Sequence, residues 1–227
     1  VQWSRGAVGN RVVEDFVNLM YLSPTFLESA GVPVPQRMTG HSILPLLQSS
    51  ESGQIDESRN YVVTGRERHV EKAREGYLPY PQRAIQTKDY LYIRNFKPDR
   101  EPMGSHELLS DEQTEPTFAE LEQNTFIAYG DLDASPTKAW MVKHRNHPEY
   151  EMHWRLGFEK RPEEELYDLS KDQDYLNNVA ADPSYAQVKQ ALSSQLMDIL
   201  ASTGDPRVVG DGSTFDKAPY VTENRKE

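Results

Sequence analysis

The 227-residue sequence has no cysteine, which removes disulfides, thiolate metal sites and cysteine nucleophiles together. That absence fits a cytosolic or a periplasmic home equally, so compartment stays open. No apolar stretch approaches the roughly 20 residues of a membrane span, and the first ten residues lack the basic and then apolar regions of a signal peptide. No run rich in Lys and Arg could track a phosphate backbone, and a formal charge of -11 repels one, which argues against nucleic acid as a partner. What is present suffices for a packed interior: 37% hydrophobic residues, with 12 Tyr and 3 Trp, argue against global disorder. The length suits one large domain or two modest ones.

Along the chain, Val1-Gln2-Trp3 reads as the end of a strand cut off from something upstream. Val12 to Met20 mixes β-branched and apolar residues, and periodicity leaves strand and buried helix both open. Ser23-Pro24 supplies an N-cap and N1 proline for a short helix from Pro24 to Ala30, which Gly31 stops. Ser42 to Leu47 is a second short apolar element, and the polar run Ser49 to Ser58 marks a domain junction. The pattern then becomes that of a sheet. Tyr61 to Thr64 is a strand; Arg83 to Thr87 and Tyr90 to Phe96 flank a Lys88-Asp89 turn and predict a hairpin. Lys97 to Glu159 is an irregular excursion with helical pieces at Thr117–Gln123 and Thr137–Arg145, and Glu165 to Leu169 returns as a strand. The acidic run Glu163-Glu164-Glu165 reads as a solvated strand entry. Asp182-Pro183 caps a last helix in which Tyr185, Val188, Leu192, Leu196 and Ile199 recur at helical spacing, ended by Gly204 and Pro206. From Val208 to Glu227 the chain has little apolar content and reads as a tail draped on the surface or disordered.

Three phrases in this order resemble one family, the type I sulfatases of the alkaline phosphatase-like superfamily. Asp15-Phe16-Val17 with Leu22 to Glu28, Gly31-Val32-Pro33 and Ser42 to Leu47 is similar to the end of their catalytic domain. Arg83 to Ile93 looks like their C-terminal hairpin, and Glu164 to Leu169 with Lys171-Asp172 and Asn177-Asn178 resembles their shared ending. Within the family, Thr64 to His69, Asn95 to Arg100 and Ser135 to Lys138 look like heparan N-sulfatase-like members. The sequence departs from the family at Tyr21, where Asp is usual, and around Ser4-Arg5, where Pro-Gly is usual.

The resemblance implies a fold class of α/β and α+β. Residues 1–50 would end an alkaline phosphatase-like α/β domain, 59–207 would form a small antiparallel-sheet domain with a packed C-terminal helix, and 208–227 would be a tail. It implies hydrolysis of a sulfate ester or sulfamate on a glycosaminoglycan-type sugar by a formylglycine nucleophile, made from Cys or Ser in a Cys/Ser-x-Pro-x-Arg motif, with a divalent ion, usually calcium. This chain has neither that motif nor a counterpart of those ligands, so no catalytic and no metal-ligating residue is assigned to it. The missing N-terminal catalytic part becomes a partner, sulfated carbohydrate the ligand, and a periplasmic or extracellular home the expectation. A phosphoesterase of the same superfamily and a non-catalytic binding module are the alternatives.

Candidate substrate-binding residues follow. Arg66, Arg68 and His69 lie just past a strand end, where a loop can hold cationic groups over a site, and Arg suits bidentate anion recognition. Pairing with Glu67 and Glu71 in a solvated loop is the plainer alternative. Lys138, after Ser135-Pro136-Thr137, would be aimed from the first turn of a helix, or would be a plain surface lysine. His144, His147 and His153 match no zinc spacing and are expected to be solvent-exposed.

Overall fold

The computed structural model describes residues 6–111 and 113–217. The readings at Val1-Gln2-Trp3 and Ser4-Arg5, and the tail from 218 onward, lie outside the described residues. The chain divides into two compact units, Val1–Val63 with Ile85–Tyr90, and Thr64–Ala84 with Leu91–Glu227.

In the first unit, Asn18 caps a 3-10 turn, Leu19–Tyr21, its side chain accepting from the Met20 amide. The turn runs straight into helix α1, Leu22–Ser29, so Ser23 and Pro24 sit inside the first turn instead of capping it. Gly31, at φ 69°, takes the left-handed conformation that ends the helix. Helix α2 is Leu44–Gln48, with Leu44 and Leu46 buried. The stretch from Val12 to Met20 is neither long strand nor buried helix: Val13 makes an isolated parallel bridge to Gly53, and Val12 is exposed. Backbone amides there are met by side chains. Buried Asp15 accepts from the Ile55 and Asp56 amides at 2.8 and 2.7 Å, and Arg11 donates to the Val8, Leu46, Leu47 and Glu51 carbonyls.

Four strands form an antiparallel sheet in the order β1 (Tyr61–Arg66), β2 (Gln82–Thr87), β3 (Tyr90–Asn95) and β4 (Glu164–Asp168). The hairpin turns at Lys88-Asp89 as the sequence predicts, the Thr87 hydroxyl accepting from the Tyr90 amide at 3.1 Å. Only Glu163 of the acidic run is solvated. Glu165 is buried and accepts from Asn95 at 2.7 Å and Tyr167 at 2.6 Å, while Glu164 accepts from the Tyr92 hydroxyl at 2.6 Å.

Between β3 and β4, three helices build a core of their own: α3 (Phe118–Gln123), α4 (Pro136–Lys143) and α5 (Glu151–Phe158). Thr117 and Glu120 form a reciprocal capping box on α3, and Ser135 with Pro136 starts α4. Leu121, Ala139, Val142 and Phe158 fill this core around Tyr129, with the Trp154 and Phe158 rings stacked at 4.2 Å. Helix α5 is absent from the sequence reading.

The last long helix, α6 (Ala186–Ser202), follows a 3-10 turn whose first amide is capped by Asp182. It buries Leu192, Leu196 and Leu200, with Leu200 taking the place expected for the half-buried Ile199. The Tyr92 hydroxyl on β3 bonds Ser193 at 3.0 Å, and Lys189 pairs with Glu164 on β4 at 3.3 Å, which fixes the helix to the sheet. As far as residue 217 the chain beyond it is held in place. Asp205 caps helix α7, Pro206–Val209, and a 3-10 turn follows at Ser213–Phe215, because charges supply the anchoring that apolar residues do not.

Candidate functional site

Strand β1 ends at Arg66 and delivers a cationic loop, 66–74, in which Arg66, His69 and Arg74 converge on one acid. Asp131 has no exposed side-chain surface and pairs with both Arg66, at 2.7 Å, and Arg74. Its other oxygen accepts from the Val70 amide at 3.3 Å and lies 3.6 Å from His69 Nδ1. Asp131 therefore sets where the loop sits. Arg74 is committed to structure: it donates to the Glu101 and Pro102 carbonyls, both at 2.6 Å, and lies against the Tyr80 ring. Burial pulls its pKa down, with Asp131 opposing. Arg66 also stacks near Tyr80 but keeps 30% of its side chain exposed, and His69 keeps 63%. Those two groups can meet a ligand without leaving their partner.

Arg68 points elsewhere, donating to the Tyr77 carbonyl at 2.9 and 2.7 Å and to the Phe215 carbonyl at 3.0 Å. Beside the loop lies an open cleft of about 610 Å³, lined by Lys72, Arg74, Tyr77, Ser105, Glu107 and Phe126 among others. Gly104 lets its wall close: at φ 103° a Cβ would stand 2.4 Å from the Ala73 carbonyl oxygen.

Lys138 does not join this exposed group. It stands in the first turn of α4, but its side chain is fully buried and its ammonium donates to the Thr125, Tyr129 and Leu132 carbonyls at 2.7, 3.3 and 2.9 Å. All three of its donors are used. Burial pulls its pKa down to about 8, with Asp133 acting the other way. Lys138 thus ties down the loop that carries Asp131. Of the histidines, His144 stacks on Trp140 at 4.3 Å and His147 caps the 3-10 turn before α5. Among the described residues, no group of three or more His, Asp or Glu is placed to hold a metal ion.

Residues 1–126 match the model of the N-sulphoglucosamine sulphohydrolase C-terminal family. The chain belongs to that family.

Relatives of this sulphohydrolase family agree in extent. The chain is 32% identical over 185 residues to an ulvan-active sulfatase of Formosa agariphila, covering 80% of this chain and 28% of that protein. It is 28% identical over 207 residues to human N-sulphoglucosamine sulphohydrolase, covering 87% of this chain and 35% of that one. The chain thus spans about a third of the length of these relatives. A solved structure described as bound to its substrate D-glucosamine-2-N,6-O-disulfate matches with a TM-score of 0.45 and 19% identity, covering 82% of this chain and 25% of that one. The sulfatase phrases at Leu22–Leu47 and Arg83–Ile93 fall within the matched family segment. Asp131 lies beyond it and had no sequence signal: one of the two acids in Asp131-Leu132-Asp133, 65 residues from Arg66, carries no spacing.

Proposed function

We propose that this chain is the C-terminal portion of a sulfatase that hydrolyses sulfate esters or sulfamates of glycosaminoglycan-type sugars, and that it contributes substrate-binding groups while an N-terminal catalytic part supplies the nucleophile. The observation that carries the reading is the Arg66–His69 loop: two part-exposed cationic or hydrogen-bonding groups fixed by one buried carboxylate, in a member of the sulphohydrolase family. An acidic protein of charge -11 repels an anionic sugar at long range, so it must concentrate positive groups locally. In this reading Arg66 and His69 bond the anionic group directly, Arg68 holds the loop through the Tyr77 and Phe215 carbonyls, and Lys138 acts only by bracing the loop of Asp131.

The partner in this reading is the catalytic part, which would hold formylglycine and calcium. Residues 1–50 complete its α/β domain, and 59–207 form the C-terminal domain. Exposed Val12, Leu19 and Phe26 in the first unit supply apolar surface for that docking. A periplasmic or extracellular home goes with the reading. No helix among the described residues is long and apolar enough to cross a membrane.

The test is a comparison in the complete enzyme of His69→Ala and Arg66→Ala on a sulfated disaccharide and on a small aryl sulfate. Losing one charge-assisted contact costs roughly 1.5–3 kcal/mol, about ten- to a hundredfold, and the loss should fall on the disaccharide. Equal activity on both substrates would reduce the loop to plain surface.

A further inference from the structure

The Arg66–His69 loop is gripped on its other side by a segment that arrives from the far end of the described chain. Glu67, between the two loop arginines, accepts a two-pronged bond from Arg207 at 3.1 and 2.7 Å and a third from Arg83 at 2.8 Å. Arg83 also donates to Asp205 at 2.7 Å, and Asp216 takes Arg207 at 2.8 Å and Arg100 at 2.7 Å. Arg68 adds its bond to the Phe215 carbonyl, and the Arg83 and Arg207 guanidinium groups lie 5.9 and 5.5 Å from the Phe215 ring centre. The Glu67 carbonyl is pinned as well, accepting from the Tyr80 amide at 2.7 Å.

Three arginines face three carboxylates, and the side chains of Arg207 and Arg83 are only 2% and 8% exposed. A network so desolvated gains little net stability over apolar packing, but it tolerates only one arrangement, because any displaced member leaves an uncompensated charge. Its fixed point is Glu67. Orienting residue 67 orients its neighbours, Arg66 toward Asp131 and Arg68 toward Phe215. Gly212, at φ 70°, serves the same end, since a Cβ there would stand 2.9 Å from Arg207 Cδ.

We propose that Asp205–Asp216 is a positioning strap, in which Arg207 and Asp216 act through Glu67 and Arg68 to hold the cationic loop in its ligand-receiving arrangement. The proposal rests on the reading that this loop meets a sulfated sugar. None of the strap's side chains needs to touch the sugar itself.

The experiment uses the full 227-residue chain as Arg207→Met, Arg207→Lys and Asp216→Asn, with amide hydrogen exchange and titration of an N-sulfated heparin disaccharide. In Arg207→Met, amides 66–70 should exchange at least tenfold faster while β3 and α6 keep wild-type rates, and disaccharide affinity should fall about tenfold. Arg207→Lys should restore part of both. Wild-type exchange at 66–70 in a variant whose 205–216 amides have loosened would overturn the strap, as would unchanged affinity. If Arg207→Met unfolds globally, the milder Asp216→Asn carries the same comparison. Failure of the wild-type chain to bind the disaccharide would count against the sugar reading alone, and loop-confined exchange would still establish the strap.

Discussion

A carboxylate with no exposed surface that takes two guanidinium groups, as Asp131 does with Arg66 and Arg74, cannot lose its charge without stranding its partners. Arg74 suffers most, since its side chain is only 5% exposed. Asp131→Asn should therefore destabilise the chain by about 3–5 kcal/mol. At roughly 2–4 °C per kcal/mol, a thermal melt should show Tm lower by about 6–20 °C, and an unchanged Tm would mean that the cluster is ornamental. Arg66→Ala should cost far less stability, because its side chain is 30% open to water. This separation of stability from ligand contact is what allows the exposed residues to be tested for binding. Arg66, Arg68 and His69 stood out in the sequence because a strand pattern stops just before them. Asp131, Arg74 and the burial of Lys138 did not, since each depends on which distant carbonyl or carboxylate folds over it.

At the scale of elements, α6 and the segment behind it are held by different forces. Leu196 is fully buried on the helix face, and Leu196→Ala should cost about 2–5 kcal/mol in a urea unfolding titration. The segment after α6 relies on charge, so it should be sensitive to acid. Burial alone would raise the Asp216 pKa, but hydrogen bonds from Arg100 and Arg207 outweigh it and bring the value to about 2, against an ordinary 3.8. Between those values the unfolded chain binds the proton and the folded one does not, so the contribution, on the order of 2 kcal/mol, is complete above about pH 4 and fades as pH falls toward 2. Protection of amides 205–216, after the intrinsic pH dependence of exchange is removed, should fall over that window in the wild-type chain and show less pH response in Asp216→Asn. Helix α6 was legible from its apolar spacing. Helix α5 was not, because its anchors, Trp154 and Phe158, find their partner in Tyr129, more than one element away.

For the whole molecule, the proposed division of labour predicts that the purified 227-residue chain turns over no aryl sulfate above a blank. Neither a formylglycine motif nor a three-ligand acidic or histidine cluster occurs among the described residues. Measurable turnover would place the chemistry inside this chain and sink the proposal.

The sequence by itself determined the family, the hairpin at Lys88-Asp89, the helical pieces that became α3 and α4, and the loop in which cationic groups gather. Those features depend on residues adjacent in the chain, where turn chemistry, capping and two- or 3.6-residue periods act directly. Only the tertiary structure decided that Lys138 is an internal brace, that Asp131 organises the loop, and that Arg207, at the end of the expected domain, pairs with Glu67 while Asp216 in the expected tail pairs with Arg207 and Arg100. Long-range charge pairing has no period: Arg207 and Glu67 are 140 residues apart, and only the folded backbone brings them within 2.7 Å.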